Sequence, residues 1–284
     1  MKFFLFLVCI LIYAIVPAIA QRDISKQANE QNPFVLGVTD KIQSVELGEI
    51  RALNIYLPQG YRQDSATTYP VIYLLDGSAN EDFIHIVGIV QFLTMIETMP
   101  KSIVIGIANI DRRRDFTFPT TVEQHKKDYP STGSSEKFIA FIQKELQPFI
   151  EKKYKTNDSK TIIGQSLGGL LATEILLKKP ALFNNYIIVS PSLWWDNESL
   201  LEQAPKLLQK QSDNPVNVYI SVGAEGKQME EDAKRLAEIF KTSGKNNLTV
   251  SFIYLPGESH LTILHNSVYK GFEILYPKKI DQTK

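Results

Sequence analysis

The chain of 284 residues holds one cysteine, Cys9, inside an apolar run at its very start. Beyond it there is no thiol for a disulfide, a thiolate metal site or a cysteine nucleophile. An exported protein without thiols is safe in an oxidising compartment. No Leu-Ala/Ser-Gly/Ala triplet leads into Cys9, so it is not read as a lipid-attachment site. An excess of either charge is also missing: 31 Lys and Arg face 31 Asp and Glu. That removes the electrostatic footprint expected for DNA or RNA binding over the whole chain. No His/Asp/Glu spacing suggests a metal, and no Gly-rich loop follows the first parallel strand in a way that holds a nucleotide, so neither metal nor cofactor is expected. Internal repeats and low-complexity linkers are absent, and 44% hydrophobic with 22% charged residues is an ordinary globular composition.

After the first twenty residues no stretch approaches transmembrane length. Those twenty read as a secretory signal peptide. Met1-Lys2 is basic, Phe3 to Val16 is almost unbroken apolar, and Ala18-Ile19-Ala20 is a small-x-small cleavage pattern before Gln21. The competing reading is an uncleaved N-terminal anchor. The expected location is secreted or periplasmic, with no membrane span after cleavage. Residues 21–33 read as a flexible leader and 34–280 as one domain.

Two β-like stretches open that domain, at Lys41–Leu47 and Arg51–Leu57. Leu53, Ile55 and Leu57 alternate with Asn54 and Tyr56, which predicts an antiparallel hairpin turning through Gly48. From residue 69 strands and helices alternate. Strands are expected at Tyr69–Leu75, Ser102–Ala108, a segment ending at Thr161–Gly164, Tyr186–Ser190, Val216–Val222 and Leu248–Leu255. Helices are expected at Glu81–Met99, Ser134–Tyr154, Leu167–Lys178, Ser199–Gln211, Gln228–Thr242 and His260–Leu275. In the second of these, Phe138, Phe141, Ile142, Leu146, Phe149 and Ile150 fall near 3.6-residue spacing. Eight strands with interleaved helices predict an α/β fold, a mostly parallel sheet covered on both faces.

Gly164-Gln165-Ser166-Leu167-Gly168 is a G-x-S-x-G pentapeptide between the expected fifth strand and a helix. A nucleophile elbow requires that context, because a sharp strand-to-helix turn lifts the serine hydroxyl above the strand ends at a helix N-terminus. The bland alternative is a glycine-rich turn chosen for close packing. A serine alcohol needs a base. In the order serine, acid, histidine, only His260 and His265 follow Ser166. His260 lies in Pro256-Gly257-Glu258-Ser259-His260, just past the last strand, and is the expected general base. His265 reads as a surface or core residue, His85 as structural or a pocket wall, and His125 as a solvated loop residue. The orienting acid is expected at Glu225 on the first loop turn after the penultimate strand. Glu230, Glu231 and Asp232 compete with it, Asp196 follows a different strand, and a Ser–His dyad remains open. The oxyanion hole needs two backbone donors. Leu167 N–H is one candidate. Ser78 N–H, on the loop Leu74-Leu75-Asp76-Gly77-Ser78, is the other, with Asp76 bracing that turn through local backbone groups.

YPVIYLLDG at 69–77, GIANIDRRRDFTF at 106–118, GQSLGG at 164–169, SPSLWWD at 190–196 and PGESH at 256–260 occur in that order. Together they resemble the putative-esterase branch of the α/β-hydrolases, which includes siderophore esterases of the enterochelin-esterase type, esterase D and feruloyl esterases. The resemblance spans about residues 35–275. It implies an α/β-hydrolase fold, Ser166 and His260 as the catalytic pair, and main-chain donors at Ser78 and Leu167. Trp194 and Trp195 can either wall an acyl or aryl pocket or anchor their loop. Arg112, in Arg112-Arg113-Arg114, can either hold an anionic substrate by forked hydrogen bonds or lie in a solvated run paired with Asp111 and Asp115. The expected function is a serine carboxylic-ester hydrolase acting on a small ester or lactone. An acyltransferase using the same serine and histidine, or a binding protein retaining the fold, are the alternatives. The expected partner is a small-molecule ester, with no nucleic acid.

Overall fold

The computed structural model describes residues 33–209 and 214–277. The signal-peptide and cleavage readings and most of the 21–33 leader fall outside these residues. Among the described residues no helix is long and apolar enough to cross a membrane.

Eight strands form one sheet: β1 Val38–Ser44, β2 Glu49–Tyr56, β3 Tyr69–Leu74, β4 Ile103–Ile107, β5 Thr156–Gln165, β6 Asn185–Val189, β7 Val216–Gly223 and β8 Leu248–Leu255. Their order is β1-β2-β4-β3-β5-β6-β7-β8. The β1–β2 and β2–β4 pairs are antiparallel and every later pair is parallel. The helices are α1 Phe83–Met95, α2 Arg112–Phe116, α3 Glu123–Asp128, α4 Ser135–Phe141, α5 Gln147–Lys153, α6 Leu167–Lys178, α7 Ser199–Leu208, α8 Lys227–Lys241 and α9 Ile263–Leu275.

β3, β4 and β6 are buried along their whole length, which is why their sequences read as unbroken apolar runs rather than alternating ones. Their side chains serve two cores. Tyr186 and Ile188 of β6 and Val218 and Ile220 of β7 join α6 residues Leu170 and Leu171 in the main cluster. Ile187 and Tyr219, one residue out of phase, face Gly271 of α9. Each fully buried Leu, Ile or Val contributes about 1.5–3 kcal/mol of transfer free energy. A one-residue slip of β6 would exchange the two cores, so register is strongly specified.

Several expected boundaries moved. The hairpin strand predicted at Lys41–Leu47 runs over Val38–Ser44 instead, because the Glu145 carboxylate takes the Val45 and Glu46 N–H groups and ends the strand. Gly48 does make the turn, at φ +68°. The single helix expected over Ser134–Tyr154 is α4 and α5 joined by a π turn at Ile142–Leu146. Pro148 lacks the N–H that a regular turn there needs. The last helix begins at Ile263, not His260, which leaves the imidazole on a turn.

Candidate active site

Ser166 stands between β5 and α6 with φ +58° and ψ −120°, a conformation that L residues seldom adopt. The surroundings over-determine it. Ser166 N–H donates to Val189 O at 3.1 Å, and its carbonyl accepts from Ser192 N–H at 3.0 Å and Leu170 N–H at 2.9 Å. A Cβ on Gly164 would lie 2.3 Å from Gly168 O, so the glycine two before the serine lets the first turn of α6 close over β5. The N–H of Leu167 is the first of α6 and has no carbonyl partner within the helix.

The sheet topology brings the loops after β7 and β8 to the same edge. Ala224 N–H donates to Glu258 O at 2.8 Å, and a Cβ on Gly223 would sit 2.5 Å from that same oxygen, so the two loops meet backbone to backbone. Glu225 Oε2 lies 2.5 Å from His260 Nδ1. Its other oxygen accepts from Ser190 Oγ and, at 3.0 Å, from Gly223 N–H. The Glu225 side chain is 2% exposed and the His260 ring 40%. Burial opposes ionisation of Glu225, but the bonds from His260, Ser190 and Gly223 outweigh it and hold the carboxyl below the usual carboxylate range. The carboxylate sets Nδ1 as the protonated nitrogen and leaves Nε2 free to accept. Gln165, beside the serine, donates through its side-chain amide to the His260 carbonyl and ties the imidazole loop to the elbow. The Ser166 hydroxyl itself is bonded to Ser192 Oγ at 3.2 Å, not to the imidazole.

None of the competing acids is bonded to His260. Glu230 accepts the N–H groups of Glu225 and Gly226 and so fixes the entry to α8. Glu231 faces Lys227. Asp232 is pushed up to about 6 by burial and then by Glu198. Asp196 accepts from Thr120 Oγ1 and Thr121 N–H.

The loop after β3 is braced differently from the expectation. Asp76, at φ +53°, binds side chains rather than local backbone groups. Arg112 Nε reaches Asp76 Oδ1 at 2.6 Å and Arg112 Nη2 reaches Oδ2 at 2.9 Å, while Asn109 Nδ2 donates to Oδ1 at 2.7 Å. Arg112 is therefore not paired with Asp111 or Asp115, and its fork is taken by protein rather than open to an anionic substrate. Its Nη2 also reaches Gln165 O at 3.2 Å, which links this loop to the elbow. Within the run it is Arg114 that pairs with Asp115, at 2.8 Å, and the fully buried Asp115 also pairs with Arg51 of β2, which pins α2 to the sheet. The Ser78 N–H points at Glu81 Oε2, 3.3 Å away.

Among the aromatic expectations the structure decides between the Trp195 alternatives and changes the reading of His125. Trp195 is 0% exposed and donates through Nε1 to Phe118 O at 2.9 Å, so it anchors its loop and walls no pocket. Trp194 is half-buried against Tyr129 and His125. His125 lies in α3 rather than a solvated loop, and its ring stacks on Trp195 with centroids 4.9 Å apart. His85 and His265 stack on each other at 5.7 Å, and His85 Nε2 meets Asp82 at 3.2 Å. Sequence reasoning missed Ser190, Ser192, Asn109 and Glu81. The serines were legible as the Ser-Pro-Ser that follows a buried strand ending beside the elbow, and Glu81 as the last member of the capping-box spacing Ser78-x-x-Glu81.

The family model described as Putative esterase matches residues 44–263. The chain belongs to this family. As a member of the Putative esterase family it is a carboxylic-ester hydrolase. It is 28% identical over 264 residues to the ferri-bacillibactin esterase of Bacillus subtilis, a match covering 82% of this chain and 88% of that protein. Among solved structures it resembles an IroE-like serine hydrolase from Shewanella oneidensis, with TM-score 0.78, 30% identity, and coverage of 84% and 80% of the two chains. It also resembles the BES protein of Bacillus cereus, with TM-score 0.76, 28% identity, and coverage of 88% and 98%. These structural relatives fit the eight-stranded, mostly parallel sheet described above.

Proposed function

We propose that the protein is an exported serine esterase that opens a small siderophore-type ester or lactone through an acyl-enzyme. Ser166 Oγ attacks the ester carbonyl while His260 Nε2 takes its proton. The N–H groups of Leu167 and Ser78 receive the charge that develops on the carbonyl oxygen. The imidazolium, stabilised by Glu225, returns the proton to the leaving alcohol. Water then enters along the same path and releases the acid. The observation that carries this reading is the buried Glu225 at 2.5 Å from His260, on loops joined to the +58° turn of Ser166 through Gln165. The substrate class is supported by the likeness to the ferri-bacillibactin esterase of Bacillus subtilis. Residues 1–20 act as the cleaved export signal, and 34–280 as one catalytic domain.

The test is a panel of p-nitrophenyl esters of different chain lengths together with a ferric-siderophore lactone, run on wild type and Ser166→Ala, with a fluorophosphonate probe mapped by mass spectrometry. The reading requires turnover by wild type, labelling at Ser166 and loss of both in the variant. Turnover that survives Ser166→Ala would overturn it.

A further inference from the structure

We propose that Ser190 is a positioning residue whose hydroxyl holds the Glu225 carboxylate in the orientation that serves His260. The proposal rests on the serine-esterase reading and adds a residue to it.

The backbone at Ser190 is the first sign. Its φ is +42°, and Pro191 follows it. A residue ahead of proline is ordinarily extended, and the left-handed region suits glycine. A serine stands there instead, with none of it exposed. Contacts on both sides hold the turn. Ser190 N–H donates to Ser221 O of β7 at 2.8 Å. A Cβ on Gly169 of α6 would lie 2.9 Å from Pro191 Cα, so helix and turn pack backbone to backbone. A backbone departure of this kind, over-determined by its neighbours, is the usual mark of a side chain that must be aimed.

The target of that side chain is the acid. Ser190 Oγ donates to Glu225 Oε1 at 2.5 Å, and Gly223 N–H donates to the same oxygen at 3.0 Å. Glu225 Oε2 lies 2.5 Å from His260 Nδ1. One oxygen is thus held by the scaffold and the other is left for the imidazole. The last torsion of a glutamate, which rotates the carboxylate plane, is broad and soft. A single donor on Oε1 leaves that rotation open, whereas two donors from the ends of different strands, β6 and β7, close it. With its side chain 2% exposed, Glu225 has no bulk water to replace a lost donor. Two residues on, Ser192 Oγ lies 3.2 Å from Ser166 Oγ. The Ser190-Pro191-Ser192 turn therefore touches the acid with one hydroxyl and the nucleophile with the other.

The experiment compares Ser190→Ala and Ser190→Gly with wild type on p-nitrophenyl acetate. Glycine accepts φ +42° without strain, so the Gly variant carries the comparison if melting curves show that the Ala variant fails to fold. Each should lower kcat by about tenfold with KM changing little, because the hydroxyl acts through Glu225. A proton shared between an imidazole nitrogen and a carboxylate resonates far downfield of the amide protons. The His260 Nδ1 signal should be present in wild type and lost from both variants, as from Glu225→Ala. In a Glu225→Ala background Ser190→Ala should lower kcat no further, whereas a merely structural role would add its own loss. Wild-type kcat in both variants, a downfield signal absent from wild type or unchanged in the variants, or additive losses in the double variant each overturn the proposal. If wild type turns over no ester and Ser166 resists the fluorophosphonate probe, the serine-esterase reading has failed, and the downfield signal still reports whether Ser190 fixes Glu225.

Discussion

The two sides of the site are built in opposite ways. On the β7–β8 side the polar groups are already committed to one another: Glu225 is buried and bonded to His260, Ser190 and Gly223. On the β3 side Ser78 N–H is given to Glu81, and at the elbow the Ser166 hydroxyl is given to Ser192. The first half is preorganised, and its cost was met in folding. In the proposed mechanism the second half holds its donors in bonds that a substrate displaces. Preorganised groups act without rearrangement at the moment of reaction, whereas displaceable ones let the substrate's own hydrogen-bonding pattern decide whether the site completes itself.

The most severe way to break the comparison is to remove the proposed nucleophile or its base. Ser166→Ala and His260→Ala should each lower kcat by about 10³-fold or more with little change in melting temperature, measured by steady-state kinetics and thermal scans. Glu225→Ala should cost less than either, on the order of 10²-fold in kcat, because the imidazole loses its orientation but remains present. A larger loss in Glu230→Ala or Asp232→Ala than in Glu225→Ala would reassign the acid. The same acid should contribute to low-pH behaviour. Its carboxyl sits below the usual value in the folded protein, so its stabilising contribution is complete above the unfolded-state pKa and is lost as pH falls through the folded one. Glu225→Gln should therefore flatten the acid limb of a stability–pH profile, and an unchanged limb would show that other carboxylates control it.

On the exchangeable side the effects are smaller. Arg112→Leu unclamps Asp76 and should reduce kcat by about tenfold with KM changing less, since the oxyanion loop loses its tie to Gln165 O. Arg112→Lys should not rescue it, because an ammonium cannot reproduce the two-pronged contact with Asp76. Ser192→Ala should change least. It frees the Ser166 hydroxyl for the imidazole and should raise the fluorophosphonate labelling rate by about twofold to threefold. A fall in that rate would mean that Ser192 assists the nucleophile instead of holding it in reserve.

How much was legible follows from the range of the interactions involved. The G-x-S-x-G turn needs only local sterics, and Gly164 and Gly168 declare it in five residues. The buried strands β3 and β4 declare themselves because hydrophobic burial on both faces leaves no polar position. The π turn was hidden, because periodicity over Ser134–Tyr154 records which side chains face the core and not how one turn accommodates Pro148. Arg112 was ambiguous for a related reason. A run of three arginines does not say which neighbour each will meet, and Asp76 lies 36 residues away. Trp195 was left open because composition cannot separate an aromatic lining a cavity from one that fills it.

What the sequence determined alone was the class of chemistry and the layered α/β plan. Both rest on short-range rules: alternation, apolar runs, and one turn that few residue combinations permit. The tertiary structure decided which of four nearby acids reaches His260, which serine hydroxyl meets Ser166, and that the loop after β3 is clamped by Arg112 of α2. Those choices depend on where strands distant in the chain come to rest beside one another. A hydrogen bond, with a reach of about 3 Å, is settled only once the whole sheet is in place.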